Sequence, residues 1–409
     1  MRQRQVMNVL GFFVLPLISM GASLVAIPVL ISTGGVVAWT SIAVGQGVGA
    51  TLALLVSFGW GTVGPALVSR ADPADQRHIY WLSAVMRALI FLAVSPLVIA
   101  IPILLVGPEH IALSLIACVA TTSQGMAPSW YLVGQGRPAA IAAMETGPRA
   151  IGQIAATGVA AITENVLWYP VGLVITEIAI ATLAVSMIAR RETAKGPAWP
   201  QITSAAREQW PLAASALVGA GYTRASLPIV SAISLPAAAI YAAWDRVQQV
   251  GRQCVRPLIS FFQGWVVRRG AKNLPSRPRI ATIATVGMGA VGAVIVTFAL
   301  PALDTFVFSD AIQIDTLQAM LLGLTLIFVT GSSSTTYYYL VPRGAVKVLS
   351  VSSLLGSAAG VPLLLALTPA FGATGSMIAI ASAEGVVLAL QVGFLLFRRG
   401  RGKSISAVA

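Results

Sequence analysis

Arg224, Asp245, Gln249, Arg252 and Arg256 stand inside long apolar stretches, where charge needs a physical reason. An ionised group at the centre of a membrane helix costs about 2.5–3.5 kcal/mol on insertion scales, so each points to a partner or a water-filled cavity. Arg224 lies about 13 residues into the apolar run 211–234, roughly 15–20 Å from either surface at helical rise. That is beyond easy snorkelling reach. Pro228 follows four residues later, where its ring frees the carbonyl of residue 224 and predicts a kink suited to a gate. Asp245, Gln249, Arg252 and Arg256 recur at i, i+4, i+7 and i+11, hence on one helical face, with Gln248 beside them. Arg256 is near enough to an end to snorkel, and Arg246 points about 100° away from Asp245, toward a different neighbour.

The first half of the chain supplies Arg87, Glu145, Arg149 and Glu177 in equivalent settings. Arg87 sits about two turns from a surface and reads as a snorkelling anchor. Glu145 and Arg149, at i and i+4, can neutralise each other. Glu177 and Glu384 each lie deep in an apolar run; either is a proton-coupling carboxylate or the counter-ion of a cavity arginine. Within the apolar runs arginine outnumbers carboxylate. Guanidinium stays charged and grips phosphate with two parallel hydrogen bonds, so the surplus points to an anionic, phosphate-bearing ligand. The set read as binding a diphosphate is Arg224, Arg252, Arg256 and Arg149. Glu177, Asp245, Glu384 and Glu145 are the candidates for coupling or counter-ion, and Pro228 for the gating kink.

These side chains need helices in lipid to hold them. The chain is 57% hydrophobic and 10% charged, with mean hydropathy +0.85, whereas a soluble domain is about 25% charged. Apolar runs long enough to cross a ~30 Å core fall near 7–32, 40–62, 79–106, 111–133, 139–162 and 167–189, then 211–234, 236–266, 280–303, 313–341, 347–368 and 372–397. The first run is too long for a signal peptide and is taken as a retained helix. The expected fold is an all-α polytopic membrane protein of about twelve transmembrane helices in two pseudo-symmetric six-helix bundles.

Lys and Arg between the spans fall only in alternate connections and at the termini, among them Arg70, Arg77, Arg137, Arg190, Arg191, Lys195, Arg268, Arg269, Lys272, Arg343 and Arg398. The other connections carry acids such as Glu109, Glu164, Asp310 and Asp315. Basic loops stay inside, which puts both termini in the cytoplasm and the protein in the cytoplasmic (inner) membrane. The net charge of +13 is therefore an orientation signal, and no nucleic acid is expected as a partner; membrane lipids are. The basic, proline-containing stretch 190–210 reads as a cytoplasmic linker between bundles 1–189 and 211–409. The halves also match. ISTGGVVAWTSIAVGQGVG (31–49) lies over ISLPAAAIYAAWDRVQQVG (233–251), and YLVGQGRPA (131–139) over YLVPRGAVK (339–347). An even number of spans per half makes this a parallel repeat. Cys118 and Cys254 fall in apolar runs as packing residues, His78 and His110 lie at loops, and no metal cluster or P-loop is visible. No cofactor is expected beyond H+ or Na+ as a coupling ion.

PSWYLVGQGRP (128–138), GWGTVGPALVSR (59–70) and AIYAAWDRVQQV (239–250), set in this topology, resemble segments of Wzx-type polysaccharide-unit flippases of the multidrug/oligosaccharidyl-lipid/polysaccharide superfamily. The resemblance implies a cationic cavity that takes the diphosphate and sugar of an undecaprenyl-diphosphate-linked oligosaccharide and translocates it by alternating access. It also implies a place in cell-surface polysaccharide (lipopolysaccharide or exopolysaccharide) biosynthesis, with a polysaccharide polymerase and a chain-length regulator as partners. The rival readings are a drug or metabolite cation-coupled antiporter of the same superfamily, a lipid II flippase, and a membrane glycan-processing enzyme. The antiporters commonly carry an acid in the first span, and 7–32 has no charged residue. Polymerases want a large external loop and acyltransferases an intramembrane His; neither is present, so catalysis is not expected.

Overall fold

The computed structural model describes residues 2–189, 197–267, 276–308 and 312–406. Every regular element in these residues is helical. In chain order they are α1 (Arg2–Ser57), α2 (Trp60–Arg70), α3 (Pro73–Leu105), α4 (Ile111–Ser123), α5 (Ser129–Gly134), α6 (Pro138–Ile141), α7 (Gly147–Thr163), α8 (Trp168–Ala189), α9 (Trp199–Arg224), α10 (Ser226–Ile233), α11 (Leu235–Val267), α12 (Ser276–Phe308), α13 (Thr316–Thr335) and α14 (Val346–Ser406), with short 3-10 and π turns between some of them.

Twelve spans emerge once two long helices are divided. α1 is broken at Gly35 (φ 78, ψ 171) and α14 at Gly372 (φ 57, ψ −135), backbone conformations essentially reserved for glycine. Seven stretches among the described residues are long and apolar enough to cross a membrane, and those containing Gly35 and Gly372 hold two spans each. The segments outside that group are α6–α7, α9–α10 and α11. They carry the Glu145/Arg149 pair, Arg224, and the Asp245 face respectively.

Most expected boundaries lie within a few residues of the helix ends; the second and last spans run eight and nine residues further, to Arg70 and Ser406, and the largest difference is at the seventh. The seventh span begins at Trp199, not near 211. Pro200 is tolerated in the first turn because its missing N–H would have no intrahelical acceptor there. The stretch 190–196, with Arg190, Arg191 and Lys195, lies outside the described residues, as do Arg268, Arg269, Lys272 and Asp310. At the other end of the ninth connection Asp315 caps α13. Its carboxylate accepts from the Gln318 backbone N–H at 2.7 Å while the Gln318 side chain accepts from Asp315 N–H at 3.3 Å, a reciprocal capping box.

By contacts the chain forms two compact units, Met1–Leu217 with Phe306–Ala311, and Val218–Thr305 with Ile312–Ala409. The backbone repeats between the halves of the sequence. Gly136 (φ 66) matches Gly344 (φ 67), 208 positions further on. This is the offset of the YLV segments, so the likeness extends to local conformation.

In the first unit the glycines of span two let backbones touch. A Cβ on Gly45 would run into the Ser114 carbonyl, and one on Gly49 would sit 2.6 Å from the Cys118 carbonyl. α1 beyond Gly35 therefore lies directly against α4, as small residues permit in membranes. Gly45→Ala should lower the thermal midpoint of detergent-solubilised protein by the equivalent of about 1–3 kcal/mol. An unchanged midpoint would mean that α4 can shift away without loss of packing.

Candidate anion site

The second unit contains the polar face read from the sequence. α11 presents Asp245, Gln249, Arg252 and Arg256 over about 16 Å of helix length. Gln249 Nε2 donates to Asp245 Oδ2 at 2.7 Å. Arg252 Nη2 donates to Glu384 Oε1 of α14, also at 2.7 Å. The two partners differ in accessibility: the Arg252 side chain is 31% exposed, that of Glu384 4%. Gln253, Arg256 and Ser260 continue the face as exposed residues.

Glu384 has a second neighbour that sequence reasoning did not name. The Tyr222 hydroxyl, from α9, lies near its carboxylate. The buried Tyr222 ring lies across Gly356 and Gly360 of α14, close enough that a Cβ at Gly360 would meet its Cβ at 3.4 Å. Charge patterning draws attention to Arg224 and passes over a neutral tyrosine two residues away. The only signal for it was its place just before the expected kink.

That kink occurs where Pro228 places it. α9 ends at Arg224, Ala225 leaves the helical pattern, and α10 resumes at Ser226. Ile229 N–H returns to the Ala225 carbonyl at 2.9 Å, whereas Pro228 has no N–H to offer the Arg224 carbonyl. Arg224 is exposed, and among the described residues neither Arg224 nor Arg256 is in an ion pair.

The first unit gathers its own charges differently. Arg149 donates through Nε and Nη2 to the two oxygens of Glu177, at 2.8 and 3.0 Å, and through Nη1 to Glu145 Oε1 at 2.7 Å. Glu145 sits in a π turn, Ala142–Thr146, that links α6 to α7; such turns re-aim side chains within a helix. Its second oxygen is buried without a hydrogen-bond partner.

Arg87 corrects the expectation of a snorkelling anchor. It is buried, 2% exposed, and donates through Nη1 to the carbonyls of Gly125 and Ala127, at 3.1 and 3.0 Å. Its guanidinium lies 5.6 Å from the centre of the Trp130 ring. It satisfies carbonyls released where α4 gives way to a 3-10 turn before α5, so it braces a broken helix instead of reaching for a surface. Counting residues from a helix end could not reveal this, because the bracing depends on a break in a different helix.

The two clusters therefore differ in what they can bind. In the first unit, Arg149 has both Glu177 oxygens and one Glu145 oxygen on its donors. In the second, Arg224 and Arg256 are accessible, and Arg252 spends one N–H on Glu384. Exposed guanidinium forks on one face suit a phosphate or diphosphate, which accepts several N–H donors at once.

No protein-family model matches the sequence, and no curated protein shows significant sequence similarity to it. Solved structures do resemble it. The lipid II flippase MurJ in an inward closed conformation superposes with a TM-score of 0.61 at 14% identity, over 95% of this chain and 87% of that one. An inward-facing multidrug resistance MATE transporter of the MOP superfamily gives 0.54 at 11% identity, over 99% and 96%. The eukaryotic MATE transporter AtDTX14 gives 0.51 at 14% identity, over 96% of each chain. At such identities the likeness speaks for the fold: this chain is an all-α polytopic membrane protein with the twelve-helix fold of the MATE and MurJ transporters of the MOP superfamily.

Proposed function

We propose that the chain is a flippase that moves undecaprenyl-diphosphate-linked oligosaccharide units across the cytoplasmic membrane by alternating access, for cell-surface polysaccharide biosynthesis. The observation that carries this reading is the accessible arginine set, Arg224, Arg252 and Arg256, on α9 and α11 of one unit. A cavity for cationic drugs would need surplus carboxylate, and here the exposed charges are guanidinium. The lipid tail stays in the bilayer while the diphosphate and sugar cross. Arg149 belongs to the scaffold in this reading, since its donors are spent on Glu145 and Glu177. Pro228 supplies the bend in the seventh span, and both termini face the cytoplasm, as the basic connections require. The bundles 1–189 and 211–409 are the moving halves, and the delivered unit is the substrate of a polymerase and its chain-length regulator. Asp245 and Glu384 remain as the acids for coupling to H+ or Na+.

A lipid II flippase is the second reading, favoured by the TM-score of 0.61 to the MurJ structure. Mass spectrometry of polyprenyl-linked lipids from a deletion strain separates the readings. Accumulation of a diphosphate-linked oligosaccharide with loss of the surface polymer is the expected result. Accumulation of lipid II would select the second reading. Unchanged lipids with altered sensitivity to small cations would replace both with an antiporter.

A further inference from the structure

We infer that Glu384 is the release group of the anion site, a carboxylate within the protein that competes with the cargo's phosphate for Arg252. The inference rests on the proposed reading of Arg252 as a cargo-binding residue. It comes from comparing two ion pairs whose acids lie on equivalent spans of the sequence repeat but whose arginines do not, Glu177 with Arg149 and Glu384 with Arg252. The Arg149 guanidinium lies bidentate on Glu177 and reaches Glu145 with its third nitrogen. Leaving would strand two carboxylates, so that pair is a lock. The Arg252 contact is a single bond, Nη2 to Oε1. Among the described residues its Nε and Nη1 have no hydrogen-bond partner, and the side chain is 31% exposed. Both two-pronged edges of a guanidinium, Nε with Nη2 and Nη1 with Nη2, include the nitrogen that holds Glu384, so an incoming phosphate gains a full two-bond grip only in competition with that carboxylate.

The carboxylate is prepared for the exchange. Glu384 is buried, and a buried charge left alone is costly. The Tyr222 hydroxyl stays beside it, able to donate when Arg252 turns away, because the ring is packed against Gly356 and Gly360. Cargo binding therefore trades one anion for another on Arg252. When the cargo must leave, Glu384 takes the guanidinium back and no phosphate stays trapped on a permanent cation. Tyr222 lies three residues before the bend of the seventh span at Ala225, so the same carboxylate links occupancy of Arg252 to the segment that bends.

The test titrates inorganic pyrophosphate into the full-length protein in detergent by calorimetry, with surface-polymer export measured in cells. Glu384→Gln removes the competitor. It should bind pyrophosphate about tenfold tighter and export less. Tyr222→Phe removes the carboxylate's reserve partner and should weaken binding about threefold, while Glu384→Asp stays near wild type. These opposite signs are the signature, because a merely structural role for Glu384 would weaken binding in both variants and overturn the inference. Should Glu384→Gln fail to fold, Tyr222→Phe decides: weaker binding supports competition, and unchanged or tighter binding overturns it. Arg252→Ala separates the two levels of the argument. If it binds pyrophosphate like wild type, the anion-site reading falls and the release role with it. If it binds more weakly but Glu384→Gln does not bind more tightly, the release role alone falls.

Discussion

Arg149→Met should leave almost no correctly folded protein in the membrane. The substitution takes away the one cation that holds both Glu145 and Glu177, whose side chains are 10% and 8% exposed. Arg87 interacts electrostatically with Glu145, yet its own hydrogen bonds go to the carbonyls of Ser83, Gly125 and Ala127. Breaking a buried pair by removing one partner costs about 3–5 kcal/mol, a large share of the ~5–15 kcal/mol that holds a typical domain folded. Fluorescence-detected size-exclusion of solubilised membranes should show loss of the monodisperse peak. The charge-free triple variant Glu145→Gln, Arg149→Met, Glu177→Gln should recover much of it, since nothing ionised is then left unpaired. A single Arg149→Met protein that accumulates and melts like wild type would show that the cluster does not hold α7 to α8.

Arg224→Ala should give the opposite pattern: normal accumulation, and surface-polymer export reduced roughly tenfold or more, the scale of a lost charge-assisted contact. Arg224 is exposed and outside any ion pair among the described residues. Its removal therefore strands no buried partner, and surface changes of that kind rarely disturb stability by more than about 0.5 kcal/mol. Arg224→Lys should fall between, because the charge persists but the planar fork is lost. Wild-type export from Arg224→Ala would take this residue out of the anion site. Two arginines that look alike in a hydropathy profile are thus expected to fail in different assays, one in folding and one in transport.

Much of this architecture was legible because lipid imposes a simple rule: long apolar runs become helices, and basic residues mark one set of connections. The face of α11 followed from spacing alone, and the interruption at Ala225 from one proline. Pairings were harder to read. Glu177 and Glu384 were visible as deep carboxylates, but which arginine each would meet depends on how neighbouring helices are rotated. That rotation is set by small contacts such as Gly172 against Ala156 and Gly360 against Ala383. Arg87 was misjudged for a related reason. Its carbonyl partners exist only because α4 breaks before Pro128, and a residue count along α3 carries no trace of that break. The start of the seventh span was missed because Arg207 and Glu208 lower its hydropathy, although the segment from Trp199 is continuous helix.

The sharp junction at Gly35 has a practical side for anyone who wishes to label or cleave this protein. Spans one and two meet there across a single non-helical residue, as spans eleven and twelve do at Gly372, and only Ser234 separates α10 from α11. An epitope tag or protease site inserted at any of the three must pry apart a helix pair, so the protein offers few places to be gripped at those ends. Trypsin gains nothing there, since none of these junctions holds Lys or Arg. Tags and reporter fusions belong in the basic connections, such as the turn at Gly136 or the turn at Gly344, where exposed backbone already changes direction.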